Sequence, residues 1–202
     1  MSAELTQRLV VAMTGASGAI YGIRLLERLQ ELPVETHLIV TRWARVTIET
    51  ETDYRYADVK DLADHVHGES DQAAAISSGS FLTRGMVIAP CSAKTLAAIA
   101  NGFAHNLVAR AADVMLKERR RLVLAVRETP LSSIHLRNML TLSDAGATIL
   151  PPMPAFYPRP GTIDELVDHT VLRILDQLDL SIESSSRWSG TAPLRELLPD
   201  DQ

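Results

Sequence analysis

The stretch Leu9-Val10-Val11-Ala12-Met13-Thr14-Gly15-Ala16-Ser17-Gly18 decides how the rest of the chain is read. Five apolar residues in a row, closed by a glycine-containing loop, read as a strand buried on both faces, the habit of parallel sheets. After Gly18, Ile20, Ile23, Leu26 and Leu29 return three residues apart with Leu25 beside them, so an amphipathic helix is expected. The alternation continues outward. Apolar runs at 36–40, 86–89, 122–126 and 147–150 each stop at a polar or proline-containing loop, and helical patterns lie between several of them. This pattern predicts an open α/β sheet, parallel, with helices wrapped around it.

The chain has 202 residues, 46% of them hydrophobic and 22% charged, with a formal net charge of −5. That balance excludes disorder and collagen-like repeats, and the negative charge argues against nucleic acid or an anionic membrane as the main partner. The single cysteine, Cys91, cannot form an internal disulfide, which fits a reducing compartment. The N-terminus lacks a signal peptide's basic and apolar segments, and no apolar run approaches the roughly 20 residues that span a bilayer. A single cytoplasmic domain is expected over 1–202, with 181–202 as a C-terminal tail whose Trp188 is costly to leave in water. Residues 53–80, where periodicity weakens, read as an excursion over the sheet ends.

Ligands of open α/β sheets bind outside the carboxyl ends of the strands. Four polar clusters fall there: Gly15 to Gly18, Thr41-Arg42, Pro90 to Thr95, and Arg127-Glu128. The spacing Gly15, Gly18, Gly22 is not a dinucleotide fingerprint, and the Tyr56/Lys60 pair lies too early for a short-chain dehydrogenase. Ser92 and Thr95 suit the cap of the next helix, where hydroxyls and amides meet a bound ring or phosphate. Cys91 reads as a small buried hydrophobe rather than a nucleophile. His65 and His67 alternate as two ligands on a strand would, but with no third ligand evident, and no metal is expected.

A helix is expected over 106–121, with Arg110, Asp113 and Lys117 on one face. Arg110 and Lys117 read equally as a solvated face or as two cations holding one phosphate, whereas Arg119, Arg120 and Arg121 read as solvated cations at a helix end. Glu128 directly follows a buried strand, where a carboxylate is costly unless paired or working, and the planar fork of Arg127 suits an anion. An ordinary Arg127–Glu128 surface pair is the alternative. The run Pro151 to Tyr157 is a rigid loop that would hold Tyr157 over something, or a plain connector. Arg173, inside the last amphipathic helix, reads more readily as a rim salt bridge than as a ligand.

Several ordered strings resemble one family, the UbiX/phenylacrylic acid decarboxylase family, from about residue 9 to 188. They are Thr14-Gly15-Ala16-Ser17-Gly18-Ala19, Ser78-Gly79-Ser80, Pro90-Cys91-Ser92-Ala93-Lys94-Thr95-Leu96 and Asn106 to Val114. Leu116 to Arg120, Arg127 to Ser132, His135 to Leu140 and Pro154-Ala155-Phe156-Tyr157 belong with them. The resemblance implies a flavodoxin-like or Rossmann-like subunit of a homo-dodecamer. It implies a metal-independent flavin prenyltransferase that joins the dimethylallyl group of dimethylallyl phosphate to N5 and C6 of FMN. The product, prenylated FMN, would serve a UbiD-type decarboxylase.

By position, the resemblance implies flavin contacts from Gly15, Ala16, Ser17, Thr41, Ser92, Ala93, Lys94, Thr95 and Arg127. Glu51 and Glu128 would be two carboxylates buried near the reacting centre, with Ser17 in a proton relay. Ser78, Arg110, Lys117, Tyr157 and Arg173 would grip the prenyl phosphate, and Trp188 would close the site. Two positions depart from the family pattern: Gln72 stands where several members have tryptophan, and Arg42 replaces a common lysine. A flavin enzyme that decarboxylates an aromatic acid directly is the rival reading; such relatives carry a histidine in the first helix, and residues 19–29 contain none.

Overall fold

A computed structural model describes residues 7–180 together with Ile182 and Arg187. The first half runs β1 (Gln7–Met13), α1 (Ala19–Leu29), β2 (Val34–Val40), α2 (Arg42–Glu51), α3 (Tyr56–Lys60) and β3 (His65–His67). A 3-10 turn at Ala75–Ser77 leads to β4 (Gly85–Cys91), α4 (Ala93–Ala100), α5 (Leu107–Lys117) and β5 (Arg121–Val126). The chain continues through α6 (Ser133–Asp144), β6 (Thr148–Ile149) and α7 (Ile163–Asp176). All strand pairs are parallel, in the order β3-β2-β1-β4-β5-β6. This is the expected doubly wound sheet, and its order is the Rossmann one rather than the 2-1-3-4-5 of flavodoxin.

Alternation along the strands divides the core. Leu9, Val11 and Met13 of β1 pack with Ile23, Leu26, Val171 and Ile174 from α1 and α7, while Val10 and Ala12 face Leu96, Val108 and Ala112 from α4 and α5. Each face therefore has its own helical layer, and β1 and β4 are buried on both sides, as their uninterrupted apolar runs predict. α1 comes close to the sheet because Gly22 has no side chain: a Cβ there would lie 2.4 Å from the Ala89 carbonyl oxygen and 2.9 Å from Met13.

Three expectations need correction. Residues 53–80 contain a sixth strand, the edge strand β3, which pairs with β2 and is anchored where Asp64 accepts from the Thr36 amide at 2.7 Å and from its hydroxyl at 2.8 Å. Its three residues are too few to show periodicity. The helix expected over 106–121 ends at Lys117, because Arg119 turns to φ 53° and Arg121 already starts β5. Nor are Arg120 and Arg121 merely solvated. Arg120 donates to the carbonyls of Gly79 at 2.5 Å and Phe81 at 2.8 Å, and Arg121 donates to Gln177 at 3.0 Å while pairing with Asp179.

Gly22→Ala should test the close approach of α1. The methyl group has to displace a strand carbonyl and Met13, so a loss of about 1–3 kcal/mol is expected, read as a lower urea midpoint with an unchanged slope.

Candidate active site at the carboxyl ends of the strands

The sheet order reverses between β1 and β4, and the loops leaving these two strands must diverge there. Thr14 bridges the divergence. Its hydroxyl donates to the Pro90 carbonyl at 2.8 Å and accepts from the Ser92 amide at 2.8 Å. On either side, the Thr41 amide donates to the Met13 carbonyl at 3.1 Å and the Arg127 amide to the Cys91 carbonyl at 3.1 Å. Four strand ends are thus tied into one rim.

Above the rim lies a cavity of about 580 Å³. Thr14 and Gly15 line it from β1, Thr41 to Trp43 from β2, Ser92 to Thr95 from β4, and Glu128 from β5. Glu69, Ser70, His105 and Asn106 complete the wall. Three helices start at it, α2, α4 and α5, the last capped by Asn106. Thr41 caps α2, accepting from the Ala44 amide at 3.3 Å, and Ser92 caps α4, accepting from the Thr95 amide at 3.3 Å. Helix N-termini favour anions, and Arg42 and Lys94 add cationic side chains.

The predicted residues separate into groups. Gly15, Thr41, Ser92, Ala93, Lys94, Thr95 and Glu128 meet at the cavity. Ala16 and Ser17 lie beside it on the same loop, half-buried, and Arg127 stands exposed next to Glu128. The two carboxylates are not a buried pair in the single chain, because both are exposed. Glu51 reaches back to the start of α1 and accepts from the amides of Gly18 at 2.7 Å and Ala19 at 3.3 Å. Glu128 accepts from the Thr129 amide at 3.0 Å.

Ser78, Arg110 and Lys117 form a second group where the 78–80 loop packs on α5. Arg110 donates to the Ser77 carbonyl at 3.1 Å and pairs with Asp113 at 2.7 Å, Ser78 and Ser80 share a 2.9 Å hydrogen bond, and Lys117 pairs with Glu118. Tyr157 and Arg173 belong to the opposite layer. Tyr157 bonds His169 of α7 at 2.8 Å, and Arg173 pairs with Asp176 at 2.7 Å. One chain therefore does not gather the five residues of the expected phosphate grip. Trp188 lies outside the described residues.

Trp43 was missed by the sequence reading, which ended its second polar cluster one residue earlier, at Arg42. It is 66% exposed and packs over Gly15, where a Cβ would come within 2.4 Å of its own. A large aromatic three residues beyond a strand end was the available signal. Asn106, taken only as part of a family string, caps α5 through the Ala109 amide at 3.0 Å. Cys91 is fully buried, and burial pushes its thiol up to about 12, the wrong direction for a nucleophile.

Comparison with known proteins decides the family. The Flavoprotein family model matches residues 2–175. A probable UbiX-like flavin prenyltransferase of Streptomyces sp. (strain D7) is 62% identical over 189 residues, covering 93% of this chain and 94% of the relative. The chain is a UbiX-like member of the flavoprotein family. The flavin prenyltransferase UbiX of Thauera aromatica is 56% identical over 183 residues, 91% of this chain and 94% of that one. The crystal structure of AnUbiX in complex with FMN and dimethylallyl pyrophosphate superposes with a TM-score of 0.89 at 56% identity, covering 92% of this chain and 99% of that one. A dodecameric FMN-dependent UbiX-like decarboxylase from Escherichia coli O157:H7 gives a TM-score of 0.89 at 57% identity, covering 91% and 100%.

The residues of this UbiX-like chain fit a phosphorylated planar ring. The capped starts of α2 and α4 suit a phosphate, the glycine loop permits close approach, and the Trp43 indole offers an apolar face. Thr14→Val should test the rim. It keeps the shape and the Thr14 amide's 3.2 Å bond to the Pro90 carbonyl, but leaves the Ser92 amide without its partner, at a cost of about 1–3 kcal/mol. Urea unfolding should register that loss, and flavin fluorescence titration should register weaker FMN binding.

Proposed function

We propose that this chain is a flavin prenyltransferase, transferring the dimethylallyl group of dimethylallyl phosphate to reduced FMN to make prenylated FMN. The observation that carries the reading is the cavity at the order reversal, with three capped helix N-termini, Lys94 and Glu128 around it. When bound, the flavin supplies the ring atoms N5 and C6 that accept the prenyl carbons. The protein has to hold the leaving phosphate, keep water away and move protons.

Arg110, Lys117, Tyr157 and Arg173 suit the phosphate, each charge-assisted hydrogen bond contributing about 1.5–3 kcal/mol. They lie on two layers of one chain, which supports a site completed by neighbouring copies, as in a homo-dodecamer. The same reading is supported by the exposed apolar side chains Ile134, Leu136 and Leu140 of α6 (63%, 53% and 61%) and by Met153 (70%) and Phe156 (69%) on the following loop. Glu128, at the cavity wall, takes the role of proton relay with Ser17. Glu51 keeps the start of α1 in place through the Gly18 and Ala19 amides. Delivery of the product to a UbiD-type decarboxylase is the matching downstream step.

Incubating the purified chain with reduced FMN and dimethylallyl phosphate should raise the flavin mass by one five-carbon prenyl unit. Unchanged flavin mass, with carbon dioxide released from an aromatic acid by this chain alone, would favour the direct decarboxylase instead. In Glu128→Gln, FMN binding should persist while turnover falls about 10²–10⁴-fold, the usual contribution of general acid–base assistance. Wild-type single-turnover kinetics in that variant would remove Glu128 from the mechanism.

A further inference from the structure

The proposed reaction leaves unused a cluster of imidazoles at the sheet edge, none of which lines the cavity. Side chains alternate along a strand, so Glu35 and His37 of β2 share a face, as do His65 and His67 of β3. The parallel register sets His37 beside His65 and Ile39 beside His67. The His37 ring stacks on His65 with centroids 4.7 Å apart and on His67 at 5.3 Å, and Phe81 meets it edge-on at 5.2 Å. His37 is thereby fixed, with its side chain 5% exposed, whereas His65 at 53% and Glu35 at 23% can be reached from solvent.

Glu35 Oε1 lies 3.1 Å from His37 Nε2 and 3.3 Å from His65 Nε2, and one ligand atom from each of these three residues falls within 4.8 Å of the others. A tetrahedral zinc ion with bonds of about 2.0–2.1 Å has edges of roughly 3.3–3.4 Å between its ligand atoms. Two edges are already near that length, and rotation of the exposed His65 can set the third. His37 Nδ1 faces His67 Nε2 at 3.0 Å, the outer hydrogen bond that orients a metal-binding imidazole. Coordination through Nε2 puts the His37 proton on Nδ1, from which it donates to His67. Arg8 Nε stands 3.2 and 3.4 Å from the two Glu35 oxygens. It orients the carboxylate, and its charge makes the site weaker than a buried zinc site.

We propose that Glu35, His37 and His65 bind a zinc-class divalent cation, with His67 positioning His37 and water in the fourth place. Two imidazoles and one carboxylate form a known zinc donor set that leaves one position open, and imidazole donors also accept copper and nickel. The ion would tie the three-residue edge strand to β2.

The test uses the untagged full-length chain, stripped with a chelator and dialysed, then titrated with zinc chloride in a calorimeter and with cobalt chloride in a spectrophotometer. One equivalent of zinc should bind, and cobalt should give the intense visible absorption of a tetrahedral site. His65→Gln and Glu35→Gln, both at exposed or half-buried positions, should abolish that band with the fold intact by circular dichroism. His67→Gln should weaken zinc binding by about 10–100-fold, and His105→Gln should leave it unchanged. Absence of stoichiometric binding by the wild-type chain, or binding unaffected by His65→Gln and Glu35→Gln, would overturn the proposal.

Discussion

One residue, through its hydroxyl and its amide, joins the two strand ends between which the site opens. Thr14 both donates to Pro90 and accepts from Ser92, so the end of β1 is held against the end of β4 where the sheet changes its direction of winding. Because β1 and β4 are each covered on both faces, neither can move to relieve a lost bond there. The loops beyond must part, one toward α1 and one toward α4, and the space between them is the cavity. Two of the capped helix starts that face it, those of α2 and α4, owe their direction to the strands before them. Anion affinity in this chain is thus a by-product of where parallel strands end.

Much of this was legible in the residues. The runs at 9–13, 86–89 and 122–126 announced strands because burial on both faces removes polar alternation. Polar residues immediately after them announced the site, since in such sheets little else requires a hydroxyl or glycine there. His65-Val66-His67 was not legible as an edge strand. Three residues show no period, and what holds them is a carboxylate, Asp64, on a distant backbone amide. The end of α5 was misjudged for a related reason: a cationic run looks the same whether the helix continues or Arg119 turns to positive φ.

Motif strings carried residue type and order but not location. The resemblance implies that Arg110 and Tyr157 grip one phosphate, yet α5 and α7 cover opposite faces of one sheet. The face a helix takes depends on the crossover before it, which no local pattern reports. Arg120 is the converse case, a residue dismissed as solvent-facing that holds two carbonyls of the 78–80 loop region. Trp43 escaped notice because exposed aromatics at helix starts carry no periodic signal, although its contact with Gly15 makes it part of the cavity wall.

The sheet has two edges, and both are short: β3 has three residues and β6 has two. A bare strand edge is a template on which another chain can extend the ladder, and long edges are where fibres begin. Here, among the described residues, little edge backbone is on offer for adding a copy strand to strand. If copies of this chain associate, side chains on helices and loops would make the contacts, and their geometry would fix an angle at each joint. Joints of fixed angle close into assemblies of definite size when the rotation they impose closes, and run on as filaments when it does not.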